Sequence, residues 1–322
     1  MLYPLKFKPI LKEKIWGGDK LHFKSTGIPE NLKTGESWEI SGVKTDVSIV
    51  ENGHLKDKAL TDLILEYKDQ LLGNSVYSHF KTEFPILIKF IEAKENLSVQ
   101  VHPDDKLARK RHNSFGKTEM WYIVEAENNS RLIIDFKESM SAKGFGKLLK
   151  EGTLEFALNS IQVNKGDAFF IKPGLVHAIG AGVLLAEIQQ TSDITYRLFD
   201  WNRKDREGKS RELHTDLALD AIDFTKKNEY KIDYEPRLNS KVQLADTPYF
   251  KTNIIEIKGT LELDYSQVDS FIIFMNVGLE ETIIVHENIE YFLSSRETLL
   301  IPACVKFIQV KSNSTKLLEI SI

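Results

Sequence analysis

Two histidines, a carboxylate and an amide, spread over three short apolar runs, are the residues of this chain best suited to chemistry. The densest segment is Ser98-Val-Gln100-Val-His102-Pro-Asp104-Asp105. Side chains alternate along a strand, so Ser98, Gln100 and His102 share one face, with Val99 and Val101 on the other. Buried polar groups must be hydrogen-bonded or ligated, so this face is either a solvated sheet edge or part of a site. Glu119 opens the apolar run Glu119-Met-Trp-Tyr-Ile-Val and shares a face with Lys117. A carboxylate there needs a cation, a metal or an exposed strand end. His177 follows the strand and turn Gly166-Asp-Ala-Phe-Phe-Ile-Lys-Pro173-Gly-Leu-Val. Singly, these residues have ordinary readings: a sheet edge, a Lys–Glu surface pair, a structural histidine. Together, Gln100, His102, Glu119 and His177 make a set suited to Zn²⁺ or another borderline divalent ion, with an open position for water or substrate. A closed structural zinc site would draw on cysteines, and the chain has one, Cys304.

The elements that must position these residues read as mostly β. Short β-branched and aromatic runs bounded by Gly, Asn, Asp or Pro occur at 39–42, 45–50, 85–90, 97–101, 119–124, 131–134, 168–171, 183–188 and 195–199. Their spacing predicts a sandwich or barrel and not alternating βα units. Apolar residues three and four apart predict helices over 60–72, 140–158 and 213–222, inserted into or following the β framework. A polar stretch from about Tyr230 to Tyr249 then separates a run of further strands, giving a first domain over 1–235 and a smaller all-β domain over 236–322. Gly166 to His177 has a faint echo in Arg296-Glu-Thr-Leu-Leu-Ile-Pro302-Ala-Cys-Val-Lys306, where Lys306 stands opposite His177. If the halves share a fold, the first is equipped for metal and the second is not.

The glycine and histidine spacing from Gly166 through Gly174 to His177 resembles the second cupin motif, with the proline displaced by one position. The first cupin motif is matched less fully, because Gln100 replaces its first histidine and a helix-prone segment, 103–114, separates His102 from Glu119. Ser-x-Gln-x-His-Pro-Asp, then Gly-Lys-Thr-Glu-Met-Trp-Tyr, Pro-Gly-x-x-His-Ala-Ile-Gly, Glu187 and Thr195-Tyr-Arg197-Leu-Phe-Asp200-Trp together resemble the short bacterial class of type I mannose-6-phosphate isomerases. The likeness runs from about Leu2 to Asp223 and includes Ile15-Trp-Gly-Gly18 and Gly35-Glu-Ser-Trp-Glu-Ile-Ser-Gly42. It implies a cupin-type jelly-roll (double-stranded β-helix) catalytic domain with helical insertions, followed by a degenerate cupin-like β domain. It also implies one zinc ion per chain held by Gln100, His102, Glu119 and His177. Arg197 is then an active-site residue, Lys117 and Glu187 are further catalytic candidates, and Ser98 lies beside the substrate phosphate.

The implied reaction interconverts mannose 6-phosphate and fructose 6-phosphate, moving a proton between C2 and C1 through a cis-enediolate. A divalent ion suits this chemistry as a Lewis acid. Glu187, in the apolar strand Leu184-Leu-Ala-Glu-Ile, is the favoured proton-transfer group, with Lys117 second. Glu187 also reads as a carboxylate paired with Arg197, and Arg197 as a group that steadies the enediolate, fixes the sugar or pairs with a carboxylate. Phosphate candidates besides Ser98 are Lys94, Arg203 and Lys204, in a chain segment that continues to Arg206. His22, His54, His79, His112, His214 and His286 read as surface residues. Two other classes stay open: an iron-dependent cupin dioxygenase, which Gln100 disfavours, and a non-catalytic sugar-phosphate sensor.

Composition narrows the partners. Forty-three Lys plus Arg against 47 Asp plus Glu leave a formal charge of −4 on 322 residues, so no global basic field draws the chain to nucleic acid or anionic lipid. An anionic substrate must find local cations. One cysteine, no signal-peptide-like start and no long apolar run predict a soluble cytoplasmic protein of undetermined oligomeric state.

Overall fold

The computed structural model describes residues 1–22, 32–204, 207–226 and 229–322. Contacts divide the chain into two compact units, each discontinuous in sequence: Leu11–Ser37 with Phe90–Ile232, and Met1–Ile10 with Trp38–Lys89 and Asp233–Ile322. The expected partition after 235 lies close to the break at Ile232, but Met1–Ile10 and Trp38–Lys89 fall on the other side of it. Backbone pairing explains why. Leu5 pairs with Leu300, and the carbonyls of Leu71 and Gln70 accept from the amides of Ala303 and Cys304. A linear reading of the sequence has no signal for segments that return this way.

The unit holding 90–232 is built on two antiparallel sheets among the described residues. One runs in the order Ile10–Gly18, Thr34–Ile40, Ile86–Ala93, Val183–Gln190, Glu119–Ala126, Ala168–Ile171, Lys231–Ile232. The other runs Tyr196–Phe199, Val99–Val101, His177–Ile179, Arg131–Phe136, Leu158–Gln162. Ile91, Trp121, Ile123, Phe169 and Leu185 from the first sheet and Leu132, Ile134 and Ile179 from the second close into one buried core. This is the expected mainly-β, cupin-type sandwich. The opposite face of the smaller sheet, through Val99, Val101, Ala178 and Leu198, packs on Phe145, Leu154, Ala218 and Ile222 from the helical insertions. Both faces of that sheet therefore carry buried apolar side chains, and a polar side chain buried among them needs a partner.

Helix punctuation follows local chemistry. Ala142–Glu151 starts at Ser141, whose hydroxyl accepts from the Gly144 amide at 3.1 Å, and stops at Gly152 in the left-handed conformation. The helix expected to reach residue 158 thus ends early, a 3₁₀ turn follows, and Leu158 begins a strand. The helix expected over 60–72 is broken at Lys68, where φ is 50°, into Leu60–Tyr67 and Asp69–Leu72.

The unit holding 233–322 carries a further sheet, in the order Lys241–Asp246, Lys251–Asp264, Phe307–Ser321, Ile272–Asn276, Thr298–Ile301, with the hairpin Thr282–His286/Ile289–Leu293 attached to Phe307–Ser321. Its core contains Ile255, Phe274, Ile284, Leu299, Val310 and Leu317. No helix among the described residues is long and apolar enough to cross a membrane.

Candidate metal centre

Strand register brings the polar residues into two facing rows. On the smaller sheet Arg197 pairs with Gln100 and Gln100 with His177, so these three side chains lie side by side across adjacent strands. On the larger sheet Gln189, Glu119 and Ile171 form a row, with Glu187 opposite Trp121 beside it. Trp121 packs edge-on against the His177 ring at 5.3 Å between centroids, which fixes the two faces toward each other.

The insertion between His102 and Glu119 is a closed excursion. Asp104 caps the helix Asp105–His112 by accepting from the Leu107 amide at 2.8 Å, and left-handed Asn113 ends it. The Asp105 carboxylate then accepts from the Gly116 amide at 2.8 Å, and the Lys117 amide donates to the Pro103 carbonyl at 3.2 Å. A β-carbon on Gly116 would lie 2.5 Å from the Asp105 backbone nitrogen, so only glycine permits this approach. The chain leaves at Pro103 and returns beside it, which sets Glu119 against His102.

His102, Glu119 and His177 are buried, and one ligand atom from each lies within 4.8 Å of the others. His102 Nε2 is 3.3 Å from Glu119 Oε1, and His177 Nε2 is 3.9 Å from Oε2. The amide of Gln100 is 3.2 Å from His177 Nε2. His102 Nδ1–H donates to the Ile194 carbonyl at 2.9 Å and His177 Nδ1–H to the Leu175 carbonyl at 2.8 Å. A carbonyl only accepts, so both tautomers are fixed and both Nε2 lone pairs face the carboxylate.

Electrostatics complete the donor set. Burial, aided by the Lys117 charge, pushes His102 down to about 4 and lowers His177 as well. Burial alone would raise Glu119, but Lys117, His102 and His177 hold it well below the ordinary carboxylate range. At neutral pH the group is two neutral imidazoles and one carboxylate. Neither Glu119 oxygen accepts a hydrogen bond, although the Lys117 ammonium lies 2.8 Å from Oε1. A buried carboxylate in that state calls for a cation. The 3.3 and 3.9 Å separations fit ligands around one ion, since four ligands about 2.0–2.1 Å from a tetrahedral centre stand roughly 3.3 Å apart. These residues fit a divalent metal.

The other expected residues sit around this group. Lys117 is buried and also 3.4 Å from His102 Nε2. Glu187 is buried and accepts from the Trp121 indole N–H at 2.9 Å, so no direct Glu187–Arg197 pairing is needed to hold it. Arg197 donates through Nε to Ser98 Oγ at 3.3 Å and through Nη1 to the Glu212 carbonyl at 2.7 Å. Lys94 is exposed; Arg203 and Lys204 line a surface depression of about 550 Å³ with Glu13, Lys33 and Glu95, and Arg206 lies outside the described residues.

Three residues escaped the sequence reading. Gln189, directly opposite Glu119, donates its amide to the Gln190 and Ser192 carbonyls at 3.0 and 2.5 Å, while its Oε1 is buried without a partner. The alternation of Glu187 and Gln189 in an apolar strand was the available signal. His214, read as a surface residue, is half-buried and accepts the Arg197 amide N–H at 3.1 Å. Arg211 makes a bidentate pair with Asp200, through Nε at 2.7 Å and Nη2 at 2.5 Å.

Comparison with known proteins places these observations in a family context. The family profile described as "Phosphomannose isomerase type I, catalytic domain" matches residues 4–137. The mannose-6-phosphate isomerase ManA of Bacillus subtilis is 33% identical over 300 residues, covering 92% of each chain. The mannose-6-phosphate isomerase of Streptococcus mutans is 33% identical over 315 residues, covering 95% of this chain and 94% of that one. A crystal structure of the Bacillus subtilis mannose 6-phosphate isomerase superposes with a TM-score of 0.88 at 30% identity, covering 99% of both chains.

Proposed function

The chain belongs to the type I mannose-6-phosphate isomerase family, and we propose that it interconverts mannose 6-phosphate and fructose 6-phosphate at the centre formed by His102, Glu119 and His177. The observation that carries this reading is the buried, cation-seeking Glu119 carboxylate faced by two tautomer-fixed imidazoles. Gln100, His102, Glu119 and His177 would hold the ion, and two imidazole nitrogens with two oxygen donors suit Zn²⁺. When bound, a divalent ion supplies Lewis-acid polarisation of neighbouring sugar oxygens, worth several kcal/mol.

The residues of the chain supply the rest. The C2 proton of the open-chain aldose passes to a base and returns to C1, while the C2 hydroxyl gives up its proton and the C1 oxygen gains one. Glu187 is our choice for the carbon-bound proton, at the carboxylate that Trp121 orients through its indole N–H. Lys117, beside Glu119, is placed to serve the oxygen protons. Arg197, whose guanidinium is held by Ser98 and the Glu212 carbonyl, faces the negative charge that develops on the enediolate. Ser98 marks the phosphate end. With a single, exposed cysteine and no disulfide to protect, the cytoplasm is the compartment we assign.

The test is conversion of mannose 6-phosphate by purified protein, stripped of metal and then restored with one equivalent of zinc. Activity that disappears and returns is the expected result. Binding without release of fructose 6-phosphate would mark a sensor, and oxygen consumption with iron would mark a dioxygenase; no relative reported above favours either.

A further inference from the structure

Tyr196–Phe199 lies at one edge of the smaller sheet among the described residues. Its inner side pairs with Val99–Val101, and the register slips between Arg197 and Phe199. An edge strand carries peptide groups that point away from the sheet and must find partners elsewhere. At Arg197 one residue supplies both. The His214 amide donates to the Arg197 carbonyl at 2.7 Å, and His214 Nδ1 accepts the Arg197 amide N–H at 3.1 Å. A peptide N–H only donates, so the ring proton sits on Nε2 and Nδ1 offers its lone pair. Two residues earlier, the Glu212 carbonyl accepts from Arg197 Nη1 at 2.7 Å. The stretch 212–214 therefore grips Arg197 at its peptide and at its guanidinium.

The place of His214 in its own helix makes the residue type informative. His214 is the N-cap of Thr215–Leu219, and the Ala218 amide donates to its carbonyl at 2.9 Å. Ser, Thr, Asp and Asn are the strong residues at an N-cap, because their short side chains accept from first-turn amides. The His214 side chain makes no such bond and turns to Arg197 instead. The helix forgoes a cap, and the arginine gains an acceptor. Other contacts hold the helix in place: the Leu217 carbonyl accepts from Arg111 Nη1 at 2.9 Å, and Ala218 is buried in the core beside Val99, Val101 and Leu198.

The register shows why such a hold matters at Arg197. Arg197 pairs with Gln100 and Gln100 with His177, so its peptide sits two strands from a histidine of the metal centre. A small rotation of that peptide swings a guanidinium at the end of a long side chain. A misplacement of about 1 Å at a reacting centre costs on the order of 100-fold in rate.

We propose that His214 is a positioning residue for the isomerase reaction: its imidazole takes the outward N–H of Arg197 and so sets the backbone from which the Arg197 guanidinium reaches the site. This rests on the isomerase reading above and on the place of Arg197 in it.

The test compares wild-type protein with His214→Ala and His214→Ser. The serine hydroxyl lies one bond nearer the backbone than Nδ1, so it restores a cap for the helix and withholds the acceptor from Arg197. Both zinc-loaded variants are expected to lose on the order of 10- to 100-fold in kcat with mannose 6-phosphate, with KM within about twofold of wild type and zinc content unchanged. His214→Ser should nevertheless melt at a higher temperature than His214→Ala. In an Arg197→Lys background, His214→Ser should cost little more, because the group it positions is already gone. Hydrogen exchange on metal-free protein gives a readout apart from activity: the Arg197 amide should exchange faster in both variants, while the amides of Val99–Val101 keep their protection. Turnover that recovers together with stability in His214→Ser would overturn the proposal, as would a full additive loss in the Arg197→Lys background. No conversion by zinc-loaded wild type would remove the isomerase reading by itself. Exchange then decides on His214 alone: faster Arg197 exchange in the variants supports its hold on the arginine, and unchanged exchange overturns it.

Discussion

Glu119 has no exposed surface, and its two oxygens meet an ammonium and two imidazole lone pairs. Replacing it with Gln keeps the shape and removes the charge. Glu119→Gln should therefore bind zinc substoichiometrically, by elemental analysis, and lose at least about 100-fold in turnover, since even residues behind a ligand are worth about 10- to 100-fold. Trp121→Phe makes a different cut. It removes the indole donor to Glu187 and leaves the ligands in place, so zinc content should hold while kcat falls about tenfold or more. Loss of zinc in that variant would show that Trp121 acts through its contact with His177. The clustering of His102, Glu119 and His177 was legible because polar side chains at period two in apolar strands demand a partner. Gln189 carried the same period-two signal beside Glu187, but the pattern along one strand does not say that it lies opposite Glu119, a register that strand pairing sets.

At the scale of elements, the turn at Pro173–Gly174 does more than reverse the chain. The Gly174 amide donates to the His102 carbonyl at 2.9 Å, and the Gly174 carbonyl accepts from Asp223 at 2.9 Å, so one turn ties the two histidine strands to the helical insertion after Arg197. Gly174 has φ of 83°, and a β-carbon there would lie 2.9 Å from the Ala221 carbonyl oxygen. Gly174→Ala should lower stability by about 1–3 kcal/mol and weaken zinc binding with it, read by denaturant melts with and without zinc. An unchanged midpoint would mean the turn relaxes without cost. The Pro-Gly pair made this turn readable in the sequence, as did the apolar runs that became Ala168–Ile171 and Thr298–Ile301. Length was harder to read. The β-branched runs at 252–257 and 260–263, parted in the sequence by Lys258-Gly259, are one strand, Lys251–Asp264, that passes through left-handed Gly259 with a register shift, because a glycine bulge bends a strand without ending it.

For the whole molecule, the second unit carries its own buried polar network. The Tyr265 hydroxyl donates to Glu319, which also receives Lys241 at 2.6 Å and the Asn253 amide at 2.8 Å. Burial first, and then the Glu319 charge, raise Tyr265 well above its ordinary 10.0. A raised group stabilises the fold fully below its unfolded value, so this contribution is present at neutral pH and is lost as pH rises beyond about 10. Tyr265→Phe should therefore flatten the fall of Tm with pH above 10; a slope equal to that of the wild type would assign alkaline unfolding to other groups. The two-unit organisation was only partly legible. The polar stretch near 230–249 signalled a break, while the membership of Met1–Ile10 and Trp38–Lys89 depends on pairings such as Leu5 with Leu300.

His102, Glu119 and His177 come from separate segments of the chain, on or beside strands of two different sheets, with almost no side-chain surface exposed. No short segment can keep the set together, so it exists only while the two sheets are packed face to face. An ion held there loses its ligand set whenever the sheets part, a route of escape that does not depend on a chelator in solution. Its release rate should climb with chelator concentration only to a plateau, and that plateau measures how often the sandwich opens.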